Sequence, residues 1–103
     1  MKVSPCVRDG RTRFDIVDVT SLGEFQALLQ LLSSGAGCSI TEVAAGPDAR
    51  VALIHFRKCK VLIMWDDMSG TELHANQDSD QAAAEDLAGF IAGSELPGIS
   101  RGD

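Results

Sequence analysis

Two histidines, three cysteines and a turn dense in carboxylates are the residues of this chain best equipped for chemistry. His55 lies inside an apolar run and His74 alternates onto the polar side of a short extended segment. Zinc needs three or four ligands at close spacing, and no third ligand accompanies this pair, so no metal site is expected. Cys59 stands between Lys58 and Lys60, whose charges favour a thiolate. A cysteine nucleophile also needs a positioned base. His55 is four residues away along the chain. Along a strand that is roughly 13 Å, so only a hairpin folding back could join them. A loop thiol with mild reactivity fits better than a catalytic one.

Asp66-Asp67-Met68-Ser69-Gly70-Thr71-Glu72 gathers three carboxylates around a turn. Calcium prefers oxygen ligands, but an EF-hand loop alternates them and ends in a glutamate at position twelve, a spacing absent here. The segment reads as a solvated acidic knob next to Trp65, and aromatic anchors flanked by charge are common in protein interfaces. Trp65, Asp66, Asp67, Glu72 and His74 are therefore the candidate partner-binding residues. Asp15, Asp18, Glu42 and Glu72 occupy extended segments, yet nothing selects a catalytic pair among them. Gly35-Ala36-Gly37 follows a helix rather than a strand and reads as its stop, not as a phosphate loop. The terminal Arg101-Gly102-Asp103 matches an integrin-binding tripeptide, a three-residue coincidence in a chain read as cytosolic. No cofactor is implied.

Composition narrows the partners. The 103 residues suit one domain, with 45% apolar and 23% charged residues as in an ordinary globule. No run approaches the roughly 18 apolar residues of a membrane helix. The start, Met1-Lys2-Val3-Ser4-Pro5-Cys6, has no apolar signal core. Cys6, Cys38 and Cys59 are odd in number and widely spaced, pointing to reduced thiols and a cytoplasmic setting. With 15 acidic against 9 basic residues the net charge is −6, which opposes binding to a phosphate backbone. The local basic groups, Arg8-Arg11-Arg13 and Arg57-Lys58-Lys60, suit hairpin turns.

The elements that must position these residues are legible in outline. Asp9-Gly10 marks a tight hairpin between Val3–Arg8 and Arg11–Val19, with Pro5 placing the first strand at a sheet edge. Ser21-Leu22-Gly23-Glu24 is a capping box opening a helix over Leu22–Ser33, in which Leu22, Phe25, Leu28, Leu29 and Leu32 recur at helical spacing. Cys38–Ala45 alternates moderately and Gly46-Pro47-Asp48 turns the chain. Two apolar runs follow, Val51–Phe56 and Val61–Trp65, joined by Arg57-Lys58-Cys59-Lys60. That connection has no Gly or Asn, so a loose loop or bulge is expected rather than a tight primed turn. Thr71–Asn76 alternates as a further strand, Asp78 with Gln81 resembles a helix start, and Asp80–Ala92 is amphipathic.

The order ββαββββα implies an α+β two-layer sandwich: a mainly antiparallel sheet of four to six strands with two helices on one face. Residues 1–95 form the single domain and 96–103 a flexible tail. The two central runs are apolar at odd and even positions alike, so they require cover on both faces. With Val51, Leu53 and His55 towards the helices, Ala52, Ile54 and Phe56 would face outward, or the reverse. The first phase, with Leu62 and Met64 on the neighbouring strand, defines a candidate self-association or ligand face of Ala52, Ile54, Phe56, Leu62 and Met64. Contiguous exposed apolar surface usually marks an interface. The expectation is a small acidic non-catalytic domain that binds protein, as a homodimer, in one version as an inhibitor whose acidic knob meets a basic target. A small-molecule binder with the apolar face as pocket wall is the alternative, and a small enzyme the third reading.

Overall fold

The structure is a computed structural model and describes residues 1–96. The chain runs β1 (Val3–Arg8), β2 (Arg11–Ile16), α1 (Leu22–Gly35), β3 (Ser39–Ala45), β4 (Ala49–Phe56), β5 (Cys59–Asp66), β6 (Gly70–Ala75), a 3-10 turn (Asp78–Asp80) and α2 (Gln81–Ala92). All six strands form one antiparallel sheet in the order β1-β2-β6-β5-β4-β3. The fold is thus the α+β arrangement expected, with the expected element order. After the β1–β2 hairpin, α1 carries the chain to the far edge, and the meander β3–β6 returns to pair with β2.

Local chemistry explains the elements. The Ser21 hydroxyl accepts the Glu24 amide at 3.1 Å, while the Glu24 carboxylate accepts the Ser21 amide at 3.0 Å, so the capping box closes in both directions. Glu24 also accepts the Thr20 amide at 3.0 Å, and these bonds hold its carboxyl below the usual range, the Thr20 amide contributing most. Asp78, expected to start the second helix, makes no cap; it pairs with Arg11 instead. The side-chain amide of Gln81 donates to the Thr12 carbonyl at 3.1 Å and ties α2 to β2.

One turn departs from expectation. The β4–β5 register pairs Phe56 with Cys59, which leaves only Arg57 and Lys58 in the connection, at φ +51° and +65°. This is a tight two-residue turn made without glycine or asparagine. Left-handed backbone costs an L-residue about 1–2 kcal/mol. Compensation comes from the Arg57 guanidinium, which lies 4.7 Å over the Phe56 ring and donates to Asp86 of α2 at 2.9 Å. By contrast Asp9 and Gly10 adopt the same backbone region with residue types that tolerate it.

Both helices cover the same sheet face. Beneath them lie Phe14, Ile16, Ala52, Ile54, Val61, Ile63, Trp65 and Leu73, interleaved with Phe25, Leu28 and Leu32 of α1 and Ala84, Leu87 and Ile91 of α2. Leu96, assigned from sequence to a loose tail, is buried in this core, whereas the remainder of the expected tail, including Arg101-Gly102-Asp103, lies outside the described residues. No described helix is long and apolar enough to cross a membrane.

Candidate binding face

The sheet's second face carries no helix among the described residues. Its composition follows from the two-residue turn. Because Phe56 opposes Cys59, Ala52 opposes Ile63 and Ile54 opposes Val61 on the helix side, while Val51 opposes Met64 and Leu53 opposes Leu62 on the open side. A strand's side chains alternate, so even positions of β4 share a face with odd positions of β5. The expected face of Ala52, Ile54, Phe56, Leu62 and Met64 therefore mixes two sides. Ala52 and Ile54 are fully buried under the helices and Phe56 nearly so, whereas Leu62 is half-buried and Met64 exposed on the open side. A two-residue or a four-residue connection sets even positions of β4 beside odd positions of β5; only an odd-numbered loop would put Ala52 and Ile54 on one face with Leu62 and Met64.

Val51, Leu53, Leu62 and Met64 thus form an apolar centre on adjacent strands. On the β6 side it meets a polar cluster. The Glu72 Oε1 accepts from Arg13 at 3.0 Å and lies 3.3 Å from His74 Nδ1, with all three side chains partly shielded. Arg13 reaches Glu72 from the neighbouring strand, where Asp15 directly opposes Glu72. A shallow depression of about 300 Å3 lies beside this cluster, lined in part by Arg8, Arg13, Asp15, Val51, Met64 and Glu72. On the β3 side the apolar centre ends at Thr41 and Ala44, which oppose Leu53 and Val51 across a bulge.

The sequence-derived partner residues divide. Glu72 and His74 join Leu62 and Met64 on the open face. Trp65 does not: it is 5% exposed on the helix side, its indole N–H donates to the Thr20 carbonyl at 3.0 Å, and its ring lies 6.5 Å from Phe25. Its side chain is a core element rather than an exposed anchor. Asp66 projects from the end of the open face and its carboxylate accepts the Met68 amide at 2.8 Å, which shapes the turn. Asp67 donates its amide to the Asp48 carbonyl at 2.9 Å, bringing the β3–β4 and β5–β6 turns together.

The nucleophile and metal alternatives gain no geometry. Cys59 opposes Phe56 and packs against the core, while His55 opposes Lys60 on the other side of the sheet. His55 and His74 share the open face but are separated by β5. Among the described residues no group of three His, Cys, Asp or Glu side chains could hold a metal ion. Burial pushes the Cys38 thiol up, away from the reactive thiolate. Val51, Leu53 and Arg13 were not among the sequence candidates. The charged positions Lys60 and Asp66, two and four residues from Leu62, are the signal that marks this phase of β5 as the solvent side. Compared with known proteins, the chain matches no family model, no curated protein and no solved structure.

Proposed function

We propose that this domain works by binding protein through the open face of its sheet, and that the bound protein is a second copy of the chain. The observation that carries the reading is the contiguous apolar centre of Val51, Leu53, Leu62 and Met64 on a face opposite both helices. Six strands at ~4.8 Å and about seven residues at ~3.3 Å span roughly 29 by 23 Å, about 670 Å2, inside the ~600–1,000 Å2 per partner of a standard interface. Charge favours self-association here over other surfaces. The chain carries −6 overall, yet the open face balances Arg8, Arg11, Arg13 and Lys60 against Asp15, Asp66 and Glu72, with Asp78 paired to Arg11. Two like-charged copies repel least where their surfaces are locally neutral.

Sedimentation equilibrium across a dilution series tests this. A monomer–dimer equilibrium is expected for the native sequence, and Met64→Asp, at a position 37% exposed, should yield a folded monomer, with circular dichroism verifying the fold because the new carboxylate opposes Glu72. A native chain that stays monomeric to millimolar concentration contradicts the proposal, as does a Met64→Asp dimer of undiminished affinity. The depression beside Glu72 supports a small-molecule reading as second choice, since its ~300 Å3 is at the lower end of ligand sites. That reading expects an apolar organic acid to raise the melting temperature of the native chain at concentrations where it is monomeric.

A further inference from the structure

We infer that the two copies pack face to face with their strands antiparallel, so that the β4–β5 hairpin tip of each sits against the paired β3–β4 and β5–β6 turns of the other. The inference rests on the self-association reading above and adds its geometry. It comes from the distribution of charge along the two central strands. At one end, the tight turn and the last open-face pair present Lys58, Lys60 and His55. At the opposite end, the joined turns present Asp48, Asp66 and Asp67, held together by the Asp67 amide on the Asp48 carbonyl.

The acids nearest the cationic end do not cancel it. Asp86 is paired with Arg57 and Asp78 with Arg11, Asp80 is buried at the start of α2, and Glu85 accepts from the Gln81 side chain. Asp9 lies at the β1–β2 turn, with β6 between that hairpin and the β4–β5 hairpin. Three strand spacings are about 14 Å, beyond the ~10 Å over which charge acts at 0.1 M salt. The cationic and acidic ends are about 20 Å apart, six residues of strand, with the apolar centre midway between them.

A two-fold axis between facing sheets can lie along the strands or across them. Along the strands, it would place acidic end on acidic end and basic on basic. Across the strands, it places each cationic tip on the partner's acidic turns twice over, and the apolar centre falls on the axis. Facing sheets align within about 30°, which displaces ends ~10 Å from the axis by only about 5 Å. The complementary pairs therefore remain within reach. The strained turn also acquires a use: replacing Lys58 by glycine would relieve the backbone but remove a tip charge.

Reversal of charge at one end, then at both, tests the arrangement. Lys58→Glu with Lys60→Glu is expected to weaken the dimer about tenfold or more, since attraction becomes repulsion at both ends of the complex. Adding Asp66→Lys and Asp67→Lys to the same chain should restore it, because both ends become complementary again. Circular dichroism of each variant at low concentration verifies folding, and the native dimer should itself weaken as salt rises. If the first pair of substitutions leaves affinity unchanged while Met64→Asp still abolishes the dimer, the face is right and the antiparallel arrangement is wrong. If the native chain does not associate at all, the self-association reading falls and takes this geometry with it.

Discussion

The strain in the β4–β5 turn leads to a quantitative prediction at Lys58. Its φ of +65° is in the left-handed region, where an L-residue is about 1–2 kcal/mol less favourable than glycine. Glycine returns part of that through its freer unfolded chain, a cost of ~0.5–1 kcal/mol in ordered segments. Lys58→Gly should therefore stabilise the monomer by roughly 0.5–1 kcal/mol, or about 3–6 °C in melting temperature. Lys58→Ala keeps the backbone cost and removes the same charge, so it separates the two effects. Arg57 is unsuitable for the purpose, because its replacement would also remove the contacts to Phe56 and Asp86. The assay is urea unfolding followed by Trp65 fluorescence, at concentrations low enough that dimer formation does not contribute. Glycine is expected above alanine in midpoint with equal slopes, and both variants should dimerise more weakly than the native chain. A glycine variant no more stable than the alanine one would refute the two-residue left-handed turn.

Two further outcomes follow from the capping box and the core. Glu24→Gln should cost about 1 kcal/mol, because four hydrogen bonds from Thr20 and Ser21 converge on Glu24 Oε1. The folded-state pKa of Glu24 is lowered, so its contribution is complete above the usual glutamate value of about 4.3 and is lost as pH falls through the depressed value. The stability gap between native and Glu24→Gln proteins should accordingly be flat above about pH 5 and narrow in acid; a gap that widens in acid contradicts the assignment. Cys38, buried and raised in pKa, should alkylate more slowly at neutral pH than the half-buried Cys6 and Cys59, as read by peptide mass spectrometry of iodoacetamide-treated protein. Alkylation of Cys38 first would show that the core opens at β3.

Much of the fold was legible because local signals agreed with one another. Asp9-Gly10 fixed one hairpin, Ser21 and Glu24 located the start of α1, and β6 alternated clearly between Leu73 or Ala75 and Glu72 or His74. The candidate face was only half legible for a specific reason. In β4 and β5 both side-chain phases are apolar, so hydrophobicity does not distinguish them, and the phase depends on the turn. Arg57 and Lys58 carry no turn signature, and the left-handed Arg57 is held by Asp86 on a helix nearly thirty residues later. Alternation set Leu62 with Met64 and Glu72 with His74 in two separate candidate groups, and the β5–β6 register brings the two pairs onto one face. Ala52, Ile54 and Phe56 were misplaced because β4 is apolar in both phases and hydrophobicity does not choose between them, and Trp65 was misplaced by reading the acidic turn as its surroundings. The ion pair between Arg13 and Glu72, nearly sixty residues apart, had no local signal at all.

The open face as the surface of self-association is the claim on which most else depends, and methyl NMR with a soluble paramagnetic agent addresses it directly. Spectra would be compared below and above the concentration at which the chain associates. The predicted result is that the methyl groups of Val51, Leu53, Leu62 and Met64 are relaxed by the agent when dilute and shielded from it when concentrated, with those at Val7, 71% exposed at the β1 edge, unchanged. Shielding confined to the edge strands or the helices, with the four central methyl-bearing residues still open to the agent, would contradict it.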